Sequence, residues 1–240
     1  IRAYAQEDGT AGIWRLEEHM TRLLQTAKML RIQCPYNESQ LQEACQEVLR
    51  ANTFTDAYLR PLVFLGAGQM GLGARGNAVH TAIAAWQWGA YLGEKGLKDG
   101  IRLRTSSFQR NHPNAMMPRA KVVGHYVNSI LARYEANDDG FDEALMLDTQ
   151  GYVAEGTGEN VFVFHEGRVY TPPGVNILPG LTRKTVLEIL AHEGVPVVEQ
   201  PFGRDLLYVA DEVFLCGTAA EITPVGELDR RVIGPGGCGP

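Results

Sequence analysis

EGTGENVF at 155–162, VYT at 169–171 and LPGLTR at 178–183 form the stretch that decides the reading of this chain. It puts an acidic residue on a glycine-rich turn, an Asn-Val-Phe run entering a strand, and Gly180-Leu181-Thr182 at a helix start. A carboxylate can hold a proton on a ring nitrogen. The unpaired N–H groups and dipole of a helix start stabilise an anion such as a phosphate. One stretch thus offers grips for both ends of a phosphorylated heterocycle.

Bulk properties narrow the field. A chain of 240 residues with 45% hydrophobic content can bury one large core or two modest ones. A formal charge of −6 gives no basic face for nucleic acid. No apolar run reaches the length of a membrane span, so a soluble protein is expected. Cys34, Cys45, Cys216 and Cys238 lie far apart without C-x-x-C spacing, which argues against a zinc site or disulfide framework and for a reducing, cytoplasmic setting. The six histidines show no metal-ligand spacing, and no nucleotide P-loop is present.

Helical periodicity covers 16–30 through Leu16, Met20, Leu23, Leu24, Ala27 and Leu30, and 37–49 through Leu41, Ala44, Cys45, Val48 and Leu49. Ser39 with Gln42 is expected to box the start of the second helix. Strands are expected at 57–65, where Pro61 implies an edge or irregular position, and at 78–86. Gly66, Gly68, Gly71 and Gly73 between them make a tip that is either a plain solvent loop or a ligand-contacting one. Glycine and charge at 88–100 mark a linker. Beyond it come a strand at 101–107, a loop, a helix at 122–136, strands at 143–148, 152–153, 161–165 and 169–171, a helix at 181–193, and strands at 195–200 and 212–216. The expected architecture is α+β in two lobes: a small α/β domain at 1–89, a linker at 90–100 and a larger, β-rich domain at 101–240.

Together with PRAKVVGHYVNS at 118–129 and CGTAAEITP at 216–224, the opening stretch resembles the class IV family of pyridoxal 5'-phosphate (PLP) aminotransferases, and within it the branched-chain amino acid branch. The resemblance implies fold type IV with the cofactor in the cleft. It also implies transamination between leucine, isoleucine or valine and 2-oxoglutarate, and a homodimer or higher homo-oligomer in which Met70 and Leu72 are candidates to reach the other subunit. Family members usually carry a further amino-terminal segment and a carboxy-terminal helix, neither of which is in this sequence.

The chemistry needs an amine, and the lysines are Lys28, Lys95, Lys98, Lys121 and Lys184. Lys121 stands apart because Met116, Met117, Pro118, Ala120, Val122 and Val123 flank it, a setting expected to disfavour the ammonium form. On residues alone this fits a snorkelling structural lysine as well as a reactive one. The resemblance makes Lys121 the residue that carries the cofactor as an internal aldimine and shuttles the proton. It makes Tyr126 the donor to the phenolic oxygen. Glu155 and Glu159 both qualify as the carboxylate at the ring nitrogen; the E-x-x-x-x-N-V-F spacing of the family selects Glu155 and leaves Asn160 as a turn-fixing residue. Leu178 matches the residue packed on the ring. The backbone of Leu181 and Thr182, with Thr218 and Arg22, match the phosphate ligands. In DAYLRP, Tyr58 and Arg60 share one strand face and match residues near the substrate carboxylates. Trp88 and Tyr91 of WGAYLG match the wall of an apolar pocket or, on composition alone, aromatics that pack a linker. The backbone of Thr218 and Ala219 matches the α-carboxylate site. The rivals are D-amino acid aminotransferase, amine transaminase, aminodeoxychorismate lyase and a catalytically silent PLP-binding relative.

Overall fold

The computed structural model describes residues 1–89 and 91–239, in two compact units, Ile1–Gly89 and Ala90–Pro240. Ala90, the first residue of the expected linker, and Pro240 lie outside the described residues.

The first unit runs β1 (Arg2–Ala5), β2 (Ala11–Ile13), α1 (Leu16–Met29), α2 (Glu38–Ala51), β3 (Ala57–Leu65) and β4 (Val79–Trp86). Its sheet has the order β2-β1-β3-β4, all antiparallel. Period-two alternation along β3 turns Ala57 and Leu59 toward the helices, where they join Met20, Leu41, Cys45 and Leu49 in a buried core. Each fully buried Leu or Met there contributes about 1.5–3 kcal/mol. The same alternation leaves Tyr58 and Arg60 on the opposite face. Pro61 pairs with Ile83 of β4, but β1 reaches only Ala57 and Tyr58, so the proline falls where β3 has lost one neighbour.

The expected cap of α2 is corrected. Asn37, not Ser39, is the N-cap; its side chain accepts from the Gln40 N–H while the Gln40 side chain accepts from the Asn37 N–H. Ser39 already lies inside the helix, where its hydroxyl cannot serve that end.

The second unit comprises α3 (Gly93–Asp99), β5 (Ile101–Thr105), α4 (Tyr126–Asp138), β6 (Glu143–Leu147), β7 (Val153–Gly156), β8 (Asn160–His165), β9 (Arg168–Thr171), α5 (Leu181–His192), β10 (Val197–Glu199), α6 (Asp205–Tyr208), β11 (Glu212–Gly217), β12 (Glu221–Leu228) and β13 (Arg231–Val232). The expected linker therefore holds a short helix, which packs against β12. The sheet order is β10-β9-β8-β11-β12-β5-β6-β7, with β13 on β12. β7 is an edge strand, yet it returns to the interior strand β8 through three residues, closed by the Gly156 N–H to Glu159 carbonyl bond of 2.7 Å. Such a connection requires the sheet to curl on itself, which brings β7 and β8 side by side.

Both faces of this sheet are buried. On β6, Leu145 enters the central core with Ile101, Leu103, Val161 and Val163, while Ala144 and Met146 pack under Ala132 and Ala136 of α4. On β8, Phe162 faces the opposite way and packs with Val186 of α5. A bulge between Val225 and Glu227 breaks the β12–β5 register at Gly226. A Cβ there would meet the Gly236 carbonyl oxygen at 2.4 Å, so only glycine fits.

Candidate active site

Glu155 lies on β7 with 5% of its surface exposed, not on the glycine-rich turn expected for it; the turn begins after Gly156. Four contacts hold its carboxylate. Arg110 Nη2 is 2.8 Å from Oε1, Asn160 Nδ2 donates to Oε2 at 3.1 Å, and the Leu178 N–H lies 3.3 and 3.2 Å from Oε1 and Oε2. Burial pushes its pKa up to about 7, against the pull of Arg110, the Leu178 N–H and Lys121.

Asn160 does more than fix a turn. Its Nδ2 also donates to the Leu178 carbonyl at 3.0 Å, tying Glu155 to the loop that leads into α5. Its Oδ1 would sit 2.2 Å from a Cβ at position 180, so Gly180 permits this approach. Arg110 was invisible as a partner in the sequence. It sits in a loop, and the only available signal was its charge amid the polar run before Lys121.

Glu159, the competing acid, is 3% exposed and points elsewhere. It accepts from the Gly158 N–H at 3.1 Å and lies near Glu143, whose carboxylate is bonded by Arg133. Burial, reinforced by Glu143, raises its pKa to about 8.

Lys121 donates to the Tyr126 hydroxyl at 2.6 Å, with Nζ 5.1 Å from the ring centroid. The expected apolar burial of this lysine is not found: Lys121 is exposed, as are Met116, Met117 and Val123. Met116 and Met117 lie in the open turns of 111–120 and stand exposed instead of packing around the amine, whereas Ala120 is buried. Nor do the two residues share a helix, because a 3-10 turn at Val123–His125 intervenes and Tyr126 opens α4.

α5 starts at Leu181 with Gly180 as an extended N-cap and no side-chain cap, leaving the first-turn N–H groups of Leu181 and Thr182 without a capping oxygen. Thr218 and Ala219 lie in the β11–β12 turn, both half-buried. Tyr91 is 5.8 Å from the Arg133 guanidinium. Among the described residues, no group of His, Cys, Asp or Glu could hold a metal ion, and no helix is long and apolar enough to cross a membrane.

In the first unit, Arg22 Nη2 lies 3.4 Å from His19 Nδ1 on α1. On the outer face of β3, Tyr58 packs against Trp86 at 5.2 Å and edge-on against Trp88 at 4.9 Å, with the two tryptophans 5.5 Å apart. Arg60 lies over the Trp86 ring at 5.1 Å and the Tyr58 ring at 5.9 Å. Trp86 was not among the residues the sequence singled out.

The chain belongs to the class IV amino-transferases, whose family model matches residues 3–228. It is 50% identical over 240 residues to the branched-chain-amino-acid aminotransferase of Pseudomonas aeruginosa PAO1, covering 100% of this chain and 78% of that protein. It superposes on the T.th. branched-chain amino acid aminotransferase with pyridoxamine 5'-phosphate at a TM-score of 0.95 and 46% identity, covering 100% of this chain and 79% of the other. The same T.th. enzyme complexed with N-(5'-phosphopyridoxyl)-L-glutamate matches with a TM-score of 0.94 at 44% identity, over 100% and 78% of the two chains.

Proposed function

We propose that this chain transfers amino groups between branched-chain L-amino acids (leucine, isoleucine, valine) and 2-oxoglutarate, with PLP as cofactor. The observation that carries the reading is the buried Glu155 carboxylate, held by Arg110, Asn160 and the Leu178 N–H in the unit that also carries the Lys121–Tyr126 pair. These residues suit the cofactor. A prearranged carboxylate accepts a ring N–H, and an uncapped helix start accepts a phosphate. The likeness over the whole chain to enzymes of this name, one of them complexed with a phosphopyridoxyl-glutamate, supports the substrate pair.

When bound, the cofactor supplies an electron sink for the charge left at the substrate Cα. Lys121 Nζ would hold the cofactor through its amine and, once freed by the incoming substrate amine, would take the proton from the substrate Cα. Tyr126, bonded to Nζ, would donate to the phenolic oxygen, and Glu155 would keep a proton on the ring nitrogen. Leu178 would pack on the ring, while Leu181, Thr182, Thr218 and Arg22 would take the phosphate. The Thr218 and Ala219 N–H groups receive the α-carboxylate. Trp88 and Tyr91 line the side-chain pocket, and Arg60 beside Tyr58 pairs with the second carboxylate of 2-oxoglutarate. The three parts of the chain act as a small domain at 1–89, a linker at 90–100 and a cofactor-binding domain at 101–240.

A homodimer is part of this reading. Val127, Ile130, Leu131 and Tyr134 leave an exposed apolar stripe along α4, with Val123 exposed in the 3-10 turn before it, and Met70 and Leu72 stand exposed at the β3–β4 tip. Cytoplasmic residence fits four cysteines that are all free. The test is direct. PLP-loaded protein should lose its visible band on adding leucine, regain it with 2-oxoglutarate, and release 4-methyl-2-oxopentanoate and glutamate in equal amounts. Turnover of D-alanine or a simple amine with none of leucine moves the enzyme to one of its rivals, and no turnover of any amino donor leaves a silent PLP-binding protein.

A further inference from the structure

We infer that Trp86 is a specificity-determining residue: it orients Arg60 for the distal carboxylate of the dicarboxylic substrate and has no part in recognising a branched side chain. The inference rests on the assignment of Arg60 to that carboxylate. Tyr58 pairs directly with Trp86 across the β3–β4 ladder, and Arg60 pairs with Ala84, one pleat along on the same face. A small residue opposite Arg60 leaves room for the guanidinium to lean back over the indole. It does so, 5.1 Å from the Trp86 centroid and 5.9 Å from that of Tyr58. Trp88 completes the cluster, edge-on to Tyr58 and 5.5 Å from Trp86.

No hydrogen bond or ion pair holds Arg60 among the described residues, and its side chain is exposed. The contacts with these two rings are therefore the restraint on the cation among the described residues. A guanidinium held over aromatic rings spends no hydrogen-bond donor on the contact, so its N–H groups stay available for a two-point grip on a carboxylate. Tryptophan is the strongest of the aromatic partners for such a cation. The restraint also lowers the ordering cost when the carboxylate arrives, because fewer rotamers are left to lose. Leucine has no group to meet Arg60, so its binding is indifferent to this contact.

The test compares Trp86→Leu, Trp86→Phe, Arg60→Met and the Trp86→Leu/Arg60→Met double variant, each as PLP-loaded enzyme. KM and kcat are measured for leucine and for 2-oxoglutarate, alongside calorimetric binding of glutarate and 4-methylvalerate. Arg60→Met should weaken 2-oxoglutarate by about 10- to 150-fold, as expected for a charge-assisted hydrogen bond. Trp86→Leu should raise KM for 2-oxoglutarate and weaken glutarate by about 3- to 10-fold. Neither should change leucine or 4-methylvalerate by more than about 2-fold, and Trp86→Phe should restore most of the loss. In the Arg60→Met background Trp86→Leu should have no further effect on 2-oxoglutarate.

Selective loss in Arg60→Met with none in Trp86→Leu overturns the role of Trp86 and leaves the Arg60 assignment standing. Equal losses for leucine and 2-oxoglutarate in Trp86→Leu make the residue a support of the hairpin and also overturn the role. Equal losses in Arg60→Met remove the assignment on which the role rests.

Discussion

Glu155 and Arg60 are ions of opposite sign, one in each unit, held by opposite means. Glu155 is almost wholly buried on β7 and fixed by a guanidinium, an amide side chain and a backbone N–H. Arg60 stands exposed on β3 and lies over the rings of Tyr58 and Trp86. The difference separates two ways of presenting charge to a ligand. A buried ion is tuned by its neighbours, so its proton affinity belongs to the cluster and breaking one contact disturbs the rest. An exposed ion gains orientation from its platform. Perturbations at the first should be large and pH-dependent; at the second, small and selective by substrate.

The contrast would be sharpest with the amine itself as reference. Lys121→Ala removes the cofactor bond and the proton carrier together. General acid–base help alone is worth roughly 10²–10⁴-fold, so kcat should fall by at least about 10⁴ for every substrate while the fold survives. Parent-like turnover in this variant would sink the mechanism. Glu155→Gln preserves shape and loses charge. We expect kcat to fall on the order of 10²- to 10³-fold, with phosphate-anchored cofactor binding largely kept. A loss confined to folding would instead make Glu155 structural.

Arg110 tests whether the cluster behaves as a unit. Arg110→Met leaves a buried carboxylate without its cation, which typically costs about 3–5 kcal/mol. Arg110 opposes the burial that lifts the Glu155 pKa to about 7, so its removal moves that pKa further up. Glu155 then stays protonated to higher pH, and the acidic limb of the kcat profile should shift toward alkaline pH. An unshifted limb with lowered stability would mean that Arg110 only fills space. At the rim the expected effect is smaller. Arg60→Lys keeps the charge but loses the planar fork, so KM for 2-oxoglutarate should rise about 10-fold with leucine unchanged; a matching rise for leucine would break the proposed contrast between the two ions.

How much of this was legible in the sequence follows the same division. α1, α2, α5 and the β3–β4 hairpin are long enough for periodicity to announce them. β1, β2 and β13 are too short, and β12 hides behind Pro224 and the Gly226 bulge. α3 sits where glycine and charge read as linker. The candidate site residues rest on motif spacing, which carries no information about their surroundings. Lys121 was expected buried and is exposed. Arg110 meets Glu155 because its loop is bonded to the end of β6, through its N–H to the Leu147 carbonyl, and β6 pairs with β7; Trp86 meets Arg60 only through register. Neither contact has a local signature, and each depends on tertiary placement that periodicity cannot supply.

The smallest effect concerns the second buried acid, and it asks whether burial alone tunes a carboxylate in this unit. The Glu159 carboxylate accepts from the Gly158 N–H, and Glu143, Arg133 and Glu155 are the charged groups that act on it. Its pKa is raised from 4.5 to about 8, with burial the leading cause. The folded protein therefore binds more protons than the unfolded chain between those two values. Stability must fall as pH rises through that window and stay lowered above it. Glu159→Gln cannot titrate, and its amide oxygen can still accept from Gly158. The Tm of the variant should match the parent near about pH 5 and exceed it by several degrees near about pH 9, with leucine turnover at neutral pH close to that of the parent. A difference in Tm that is flat across this range would mean that Glu159 ionises in its ordinary range, and that burial without a partner cation does not set acid strength here.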